Sequence, residues 1–464
     1  MHRTLRASGL AASALLVAVF LAIASMFPPL FAFVAAAGTS VLVMGGTGNP
    51  LSTPPDTIEY VKAFTSAAVN NFVAPSSQLG SGIPGGPYNT VAVITPEEST
   101  NIPDSVARGL VNLDGCIRST TCDYNGGIES TAPSPSDSFV VFGFSQSAAI
   151  AMLEKRKLAA EYAVGEGPDV TFVVIGNARP NGGLVARDPT GIFTKLVLGV
   201  SRDQLITEPA PTNTQYATVD IALQYDLFAD APLNPLNLLA VLNAYMGMLQ
   251  LHPNYTDYSL TEPGVVDQGQ YGDTHYYLIS TPVLPLLMPL QTLGPAGAVL
   301  ADALDPVLRV IVETAYDRSI TPGEVVPFNP SYFPNPVKTA VNLLVAIPTG
   351  LDNALEDTLG LRPFGTQRPG PYGVGGPSPD YVDPESAPTA SSKTDTKTEP
   401  AAATPTKRSS GVGHFRVPKP SVTDSAASSK SPRGSKSTGS SKPTASSKSG
   451  TSSHSGLGSS KRAR

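Results

Sequence analysis

The run Phe139-Val140-Val141-Phe142 leads into Gly143-Phe144-Ser145-Gln146-Ser147 and then into Ala148-Ala149-Ile150-Ala151-Met152-Leu153. A short apolar strand, a Gly-x-Ser-x-small turn and an alanine-rich helix constrain the fold more than any other feature. The pattern is that of a nucleophile elbow, where a serine on a sharp strand-to-helix turn presents its hydroxyl. It predicts an α/β domain with the chemistry of a serine hydrolase or acyl transferase. The fifth position is Ser147 where glycine is usual, and the turn needs a small residue there so that helix and strand can approach. The pentapeptide alone would recur by chance; the strand before and the helix after give it weight.

The two ends are different material. Arg3 and Arg6 are followed by no charge until Asp56, and Leu10 to Ala37 is almost wholly apolar. At about 28 residues this stretch is long enough to span a bilayer. With basic residues before it and none just after, residues 1–38 read as an anchor that leaves the body outside the cytoplasm. Ala35-Ala36-Ala37 leaves a cleaved signal peptide open as the alternative. Residues 393–464 hold 14 Lys/Arg against 3 Asp/Glu (+11), leaving 17 against 34 (−17) in the rest. Residues 391–464, rich in Ser, Lys, Thr and Pro, read as a disordered basic tail, and residues 351–390 as a Pro/Gly-rich linker. Such a tail suits an anionic cell-wall polymer or lipid head groups. No aromatic pattern interleaves with its lysines, so a nucleic-acid partner is not expected.

Between these ends, residues 39–350 alternate strands with helices. Strands are expected at Ser40–Met44, Thr90–Thr95, Val170–Ile175 and Ala217–Gln224, and helices opening at Pro54-Pro55-Asp56, with Thr53 as N-cap, and around Ser105–Leu113. Several strands are continuous apolar runs, as in a parallel sheet covered on both faces. The fold class is therefore α/β: a doubly wound, mostly parallel sheet. Beyond about residue 280 the chain is apolar and proline-punctuated, fitting either added core helices or a greasy cap. Cys116 and Cys122 stand in a loop-like stretch of an exported body and are expected to pair in a disulfide. Without nearby histidines they make a poor metal site, and no metal or cofactor is expected.

A serine hydroxyl needs a base within hydrogen-bond reach, itself oriented by a third group. Of five histidines, only His252 and His275 lie in the body. His252 follows the helical stretch Leu236–Leu249, and His275 opens a strand-like run; both remain open, with His252 in the better address. Asp226 follows a strand, at the carboxyl end where sites collect in open sheets. Asp230 is the second choice of acid. The oxyanion hole is expected from the backbone N–H of Gln146 and of Thr47, in Gly45-Gly46-Thr47-Gly48-Asn49-Pro50. That glycine-rich turn lacks both nucleotide-binding spacings, so it is not a phosphate cradle.

Gly45–Pro50, Gly143–Ser147, Tyr225-Asp226-Leu227-Phe228-Ala229-Asp230 and His252-Pro253-Asn254-Tyr255 together resemble the PE-PPE domain of mycobacterial cell-envelope proteins. The likeness continues through Thr274–Leu290 and Asp305–Arg318. It implies a cutinase-like α/β-hydrolase whose elbow commonly carries serine in fifth place, with Ser145, Asp226 and His252 as the triad. It also implies an acyl ester or glycolipid substrate at the cell envelope. Many members begin with a PE or PPE helical module; this chain has the apolar segment there. In that it is closer to membrane-anchored members, which include acyltransferases finishing trehalose-based glycolipids, while others are ester hydrolases.

Overall fold

A computed structural model of the chain describes residues 38–205 and 208–379. The expected anchor or signal segment (apart from Gly38) and the basic tail lie outside these residues. Among the described residues, no helix is long and apolar enough to cross a membrane.

Seven strands of the described residues form one sheet: β1 (Thr39–Val43), β2 (Tyr88–Ala92), β3 (Ser138–Phe144), β4 (Val170–Ile175), β5 (Thr218–Leu223), β6 (Val265–Tyr271) and β7 (Thr274–Ile279). Their order is β2-β1-β3-β4-β5-β7-β6. Every pairing from β2 through β7 is parallel, and β6 alone runs antiparallel, against β7. The edge strand β6 escapes sequence reading because Asp267-Gln268-Gly269-Gln270 offers no apolar run and the pairing slips between Asp267 and Gln270.

The continuous apolar runs have their expected cause. Successive side chains of a strand point to opposite faces, and here both faces are covered. On one face, Val41, Val43, Val140, Phe142, Val173 and Ile175 meet Phe64 and Phe72. Phe64 lies on helix α1 (Ile58–Ala67), and Phe72 on the π-helical turn that continues it. On the other face, Leu42, Met44, Val141, Phe172 and Val174 meet Val106 and Leu113 of α2 (Ile102–Ile117) and Ile150 and Leu158 of α3 (Gln146–Glu161). Burying each such valine or phenylalanine is worth about 1.5–3 kcal/mol. Helix α1 is capped by Thr57, which accepts the N–H of Tyr60 at 3.2 Å, and not by Thr53, which stands before Pro54-Pro55. Cys116 and Cys122 are joined in a disulfide, with Cys116 in the last turn of α2 rather than in a loop.

The apolar region past residue 280 divides its side chains between two fates. Val283, Leu284 and Leu287 pack with Ala301 and Val312 of α5 (Pro295–Glu313), and with Tyr225 and Tyr316. Helix α6 (Pro336–Leu359) packs against α5 yet leaves Val337 and Leu344 each 71% exposed. The boundary expected at residue 350 falls inside this helix. The folded body continues to Tyr372, which is buried beneath the Arg318 guanidinium, 4.9 Å from the ring centre. The Pro371 carbonyl accepts from Gln224 Nε2 at 2.8 Å and Arg309 Nη1 at 3.0 Å. Buried donors must find acceptors, and this stretch supplies them, so it is no linker here.

Candidate active site

The elbow forms as its sequence demands. β3 ends at Phe144, α3 begins at Gln146, and Ser145 between them takes φ 55 and ψ −111, a conformation L-residues rarely adopt. Its N–H donates to the Ile175 carbonyl at 3.1 Å, and its own carbonyl accepts from Ala148 N at 3.1 Å. Gly143 allows the close approach: a Cβ there would stand 2.6 Å from the Ser147 carbonyl oxygen and 2.8 Å from Ala148 Cα. The fully buried Ser147 hydroxyl accepts the Phe144 N–H at 2.8 Å and donates to the Phe144 carbonyl at 3.1 Å. The unusual fifth residue thereby ties the turn back onto its strand.

Two other strand ends converge on Ser145. After β5, Tyr225 turns at φ 67 and delivers Asp226, which is fully buried. Helix α4 (Leu238–Gln250) runs into a 3-10 segment, His252–Asp257, whose first residue is the imidazole. Gly176, at the end of β4 with φ +59, clears space for that ring. His252 Nδ1 lies 2.7 Å from Asp226 Oδ2, and Nε2 lies 2.7 Å from Ser145 Oγ. A carboxylate only accepts, so Nδ1 carries the proton and Nε2 is free to accept from the serine hydroxyl. Phe144 and Phe228 flank the imidazole with ring centres 5.4 and 4.8 Å away. Asp226 Oδ1 also accepts the Phe228 N–H at 3.1 Å.

Of the sequence-predicted residues, Ser145, Asp226 and His252 are brought together and the second choices are not. Asp230 accepts the Tyr225 N–H at 2.8 Å and pairs with Arg318 at 2.7 Å, so it braces the turn that holds Asp226. His275 sits on β7 with Nε2 2.7 Å from Asp267 and its ring stacked on Tyr277, away from the serine.

Thr47 and Gln146 are drawn together by their side chains. Gln146 Nε2 donates to Thr47 Oγ1 at 2.9 Å and to the Glu98 carbonyl at 3.0 Å, while its Oε1 accepts from Ser105 Oγ at 2.7 Å. The Thr47 turn is fixed by Asn49 N to Gly46 O at 2.8 Å and Gly48 N to Glu97 O at 2.7 Å. As the first residue of α3, Gln146 has an N–H with no intrahelical acceptor, at the end where the helix dipole favours negative charge. The glutamates after β2 and Ser105 on α2 gave no sequence signal, because polar loop residues look alike until folded. Glu97 is almost wholly buried; Thr95 donates to one carboxyl oxygen at 2.8 Å, and the other has no partner among the described residues. Burial pushes its carboxyl up to about 8. A groove of about 840 Å³ between α2, α3 and residues 189–205 includes Val106, Leu153 and Lys195 but neither Ser145 nor His252.

A mostly parallel α/β sheet with serine, histidine and aspartate joined at the carboxyl ends of its parallel strands defines the class of protein, an α/β-hydrolase-like fold. Residues 81–317 match the PE-PPE domain, about half of the chain, and the chain belongs to that family. The matched span holds Ser145, Asp226 and His252, while Thr47 and α6 lie outside it. Among similar proteins of Mycobacterium tuberculosis, "PE family protein PE3" is 32% identical over 70% of this chain and 64% of its own length. "Esterase PE16" is 34% identical over 69% of this chain and 58% of its own. "SL1278 acyltransferase Chp1" is 26% identical over 62% of this chain and 67% of its own. The chain thus spans less than two thirds of the PE3 and PE16 proteins. A cutinase-like protein from Cryptococcus sp. aligns in structure at 16% identity, with TM-score 0.24, over 42% of this chain and 79% of its own.

Proposed function

We propose that the chain is an exported serine esterase or acyltransferase acting on acyl esters of cell-envelope lipids or glycolipids. Two contacts carry this reading: Ser145 Oγ to His252 Nε2, and His252 Nδ1 to Asp226 Oδ2, both at 2.7 Å. In it, Ser145 Oγ attacks the ester carbonyl carbon as its proton passes to His252 Nε2. Asp226 holds the imidazolium, and the N–H groups of Gln146 and Thr47 receive the oxyanion. The alkoxide departs with the proton from His252, leaving an acyl-serine. Water or a sugar hydroxyl then gives its proton to His252 and attacks the acyl carbon, and Ser145 Oγ departs with that proton from His252, releasing the acid or the acylated sugar.

The substrate class is supported by relatives named as an esterase, an SL1278 acyltransferase and a diacyltrehalose acyltransferase. The outward leucines of α4 and α6, among them Leu238 and Leu344, suit lipid surroundings. Attachment through residues 1–38 and contact of the basic tail with anionic wall polymer belong to the same proposal.

The experiment compares the purified chain with Ser145→Ala on p-nitrophenyl esters of several chain lengths. Loss of turnover on the order of 10⁴-fold or more is expected, together with loss of fluorophosphonate labelling. Undiminished turnover in the variant ends the proposal. Supplying an acyl donor with and without trehalose separates transfer from hydrolysis. Should Ser145→Ala change nothing while removal of residues 391–464 releases the protein from envelope fractions, the chain is instead a catalytically silent envelope protein held by its tail.

A further inference from the structure

His252 and Tyr255 are three residues apart in the segment His252–Asp257, whose helical turn is interrupted between them at Asn254 (φ −114, ψ 23). Both reach the same carboxylate oxygen. Tyr255 OH lies 2.8 Å from Asp226 Oδ2, the atom that also receives His252 Nδ1–H at 2.7 Å. The phenol oxygen accepts the Leu223 backbone N–H at 3.0 Å, which directs its single proton toward Asp226. The ring is 1% exposed and crosses those of His252 and Phe144 at 5.6 Å. Burial first, and the Asp226 charge next, hold the hydroxyl well above its ordinary range, so it remains a donor whenever esters are turned over.

We propose that Tyr255 is a positioning residue of the site: its hydroxyl shares Asp226 Oδ2 with His252 and sets how strongly that carboxylate holds the imidazolium. This rests on the catalytic reading above. Asp226 divides its charge between two donors on one oxygen and the Phe228 N–H on the other. Removing the phenol donor leaves a more basic carboxylate, which retains the imidazolium proton to higher pH. A tyrosine there only to fill the core would be replaceable by phenylalanine without effect on that proton.

The test uses the full chain as parent, Tyr255→Phe, and the chain with 3-fluorotyrosine introduced at position 255 alone. Hydrolysis of a short p-nitrophenyl ester is followed across pH. Tyr255→Phe is expected to lower kcat by about tenfold or more with little change in KM. Its acidic limb of kcat/KM should move up by about half to one pH unit. Fluorotyrosine, a stronger donor of nearly unchanged volume, should move that limb down. In the inactive Ser145→Ala background, the downfield proton resonance of the His252–Asp226 hydrogen bond should shift when Tyr255 becomes phenylalanine. Superimposable pH profiles with an unmoved resonance overturn the proposal. If Ser145→Ala itself retains turnover, the catalytic reading fails, while the resonance still reports whether Tyr255 acts on Asp226.

Discussion

A Cβ on Gly176 would stand 2.9 Å from Cε1 of His252, so the end of β4 is hollowed to admit the imidazole edge. Gly176 also holds φ +59, where an L side chain is strained. Gly176→Ala should cost about 1–2 kcal/mol of stability and, by displacing the ring from Ser145, on the order of 10–100-fold in kcat. Thermal unfolding and ester turnover read the two effects separately. A lowered Tm with unchanged kcat would show that the ring tolerates the intrusion.

Ser147 offers a second prediction. Its hydroxyl is the acceptor for the buried Phe144 N–H. Ser147→Ala should lose about 1–3 kcal/mol, and Ser147→Gly should be no more stable, although glycine is the usual residue at this place in an elbow. Urea midpoints of the two variants decide it. A glycine variant as stable as the parent would mean the hydroxyl contributes nothing.

Glu97 should make stability pH-dependent. Its carboxyl ordinarily titrates near 4.5 and is pushed up to about 8 by burial, so the folded state binds a proton that the unfolded chain has released. The stability it contributes is complete below about 4.5 and declines as pH rises through about 8. Glu97→Gln removes that decline. Its Tm relative to the parent should rise between about pH 5 and pH 8 and level off above that, and parallel curves between about pH 5 and pH 8 would refute the assignment.

The stretch around Pro371 and Tyr372 invites truncation. Ending the chain after residue 379 should leave ester turnover unchanged. Ending it after residue 368 takes away the Pro371 carbonyl from Gln224 and Arg309 and the Tyr372 ring from Arg318. Those groups surround Tyr225, whose hydroxyl lies 2.7 Å from a Glu313 carboxyl oxygen and which precedes Asp226. Buried donors left without acceptors cost about 1–3 kcal/mol each, so both Tm and kcat should fall. Equal values for the two truncations would deny this stretch any part in bracing the acid.

The parallel strands and the elbow were legible because their signals are local: apolar runs bounded by turns, and a pentapeptide flanked by strand and helix. β6 was not, since an edge strand facing water on one side needs no apolar run. For the base, residue types alone left two histidines. Resemblance favoured His252, and the difference between them is tertiary: one ring fits beside Gly176, the other stacks on Tyr277. Ser105 and the second role of Tyr255 stayed hidden because each matters through a partner dozens of residues away, and Glu97 because its burial arises only on folding. The boundary at residue 350 failed for a related reason: composition reads Pro-Gly-rich sequence as linker, and it cannot see buried arginines in need of carbonyls.

The serine and the imidazole that meet in the folded molecule are 107 positions apart in sequence. A chain made from its amino end presents the hydroxyl well before its base. On the proposed function, a fragment that ends ahead of His252 holds the hydroxyl without its base and is expected to turn over no ester, so competence waits until more than half of the 464 residues have been joined.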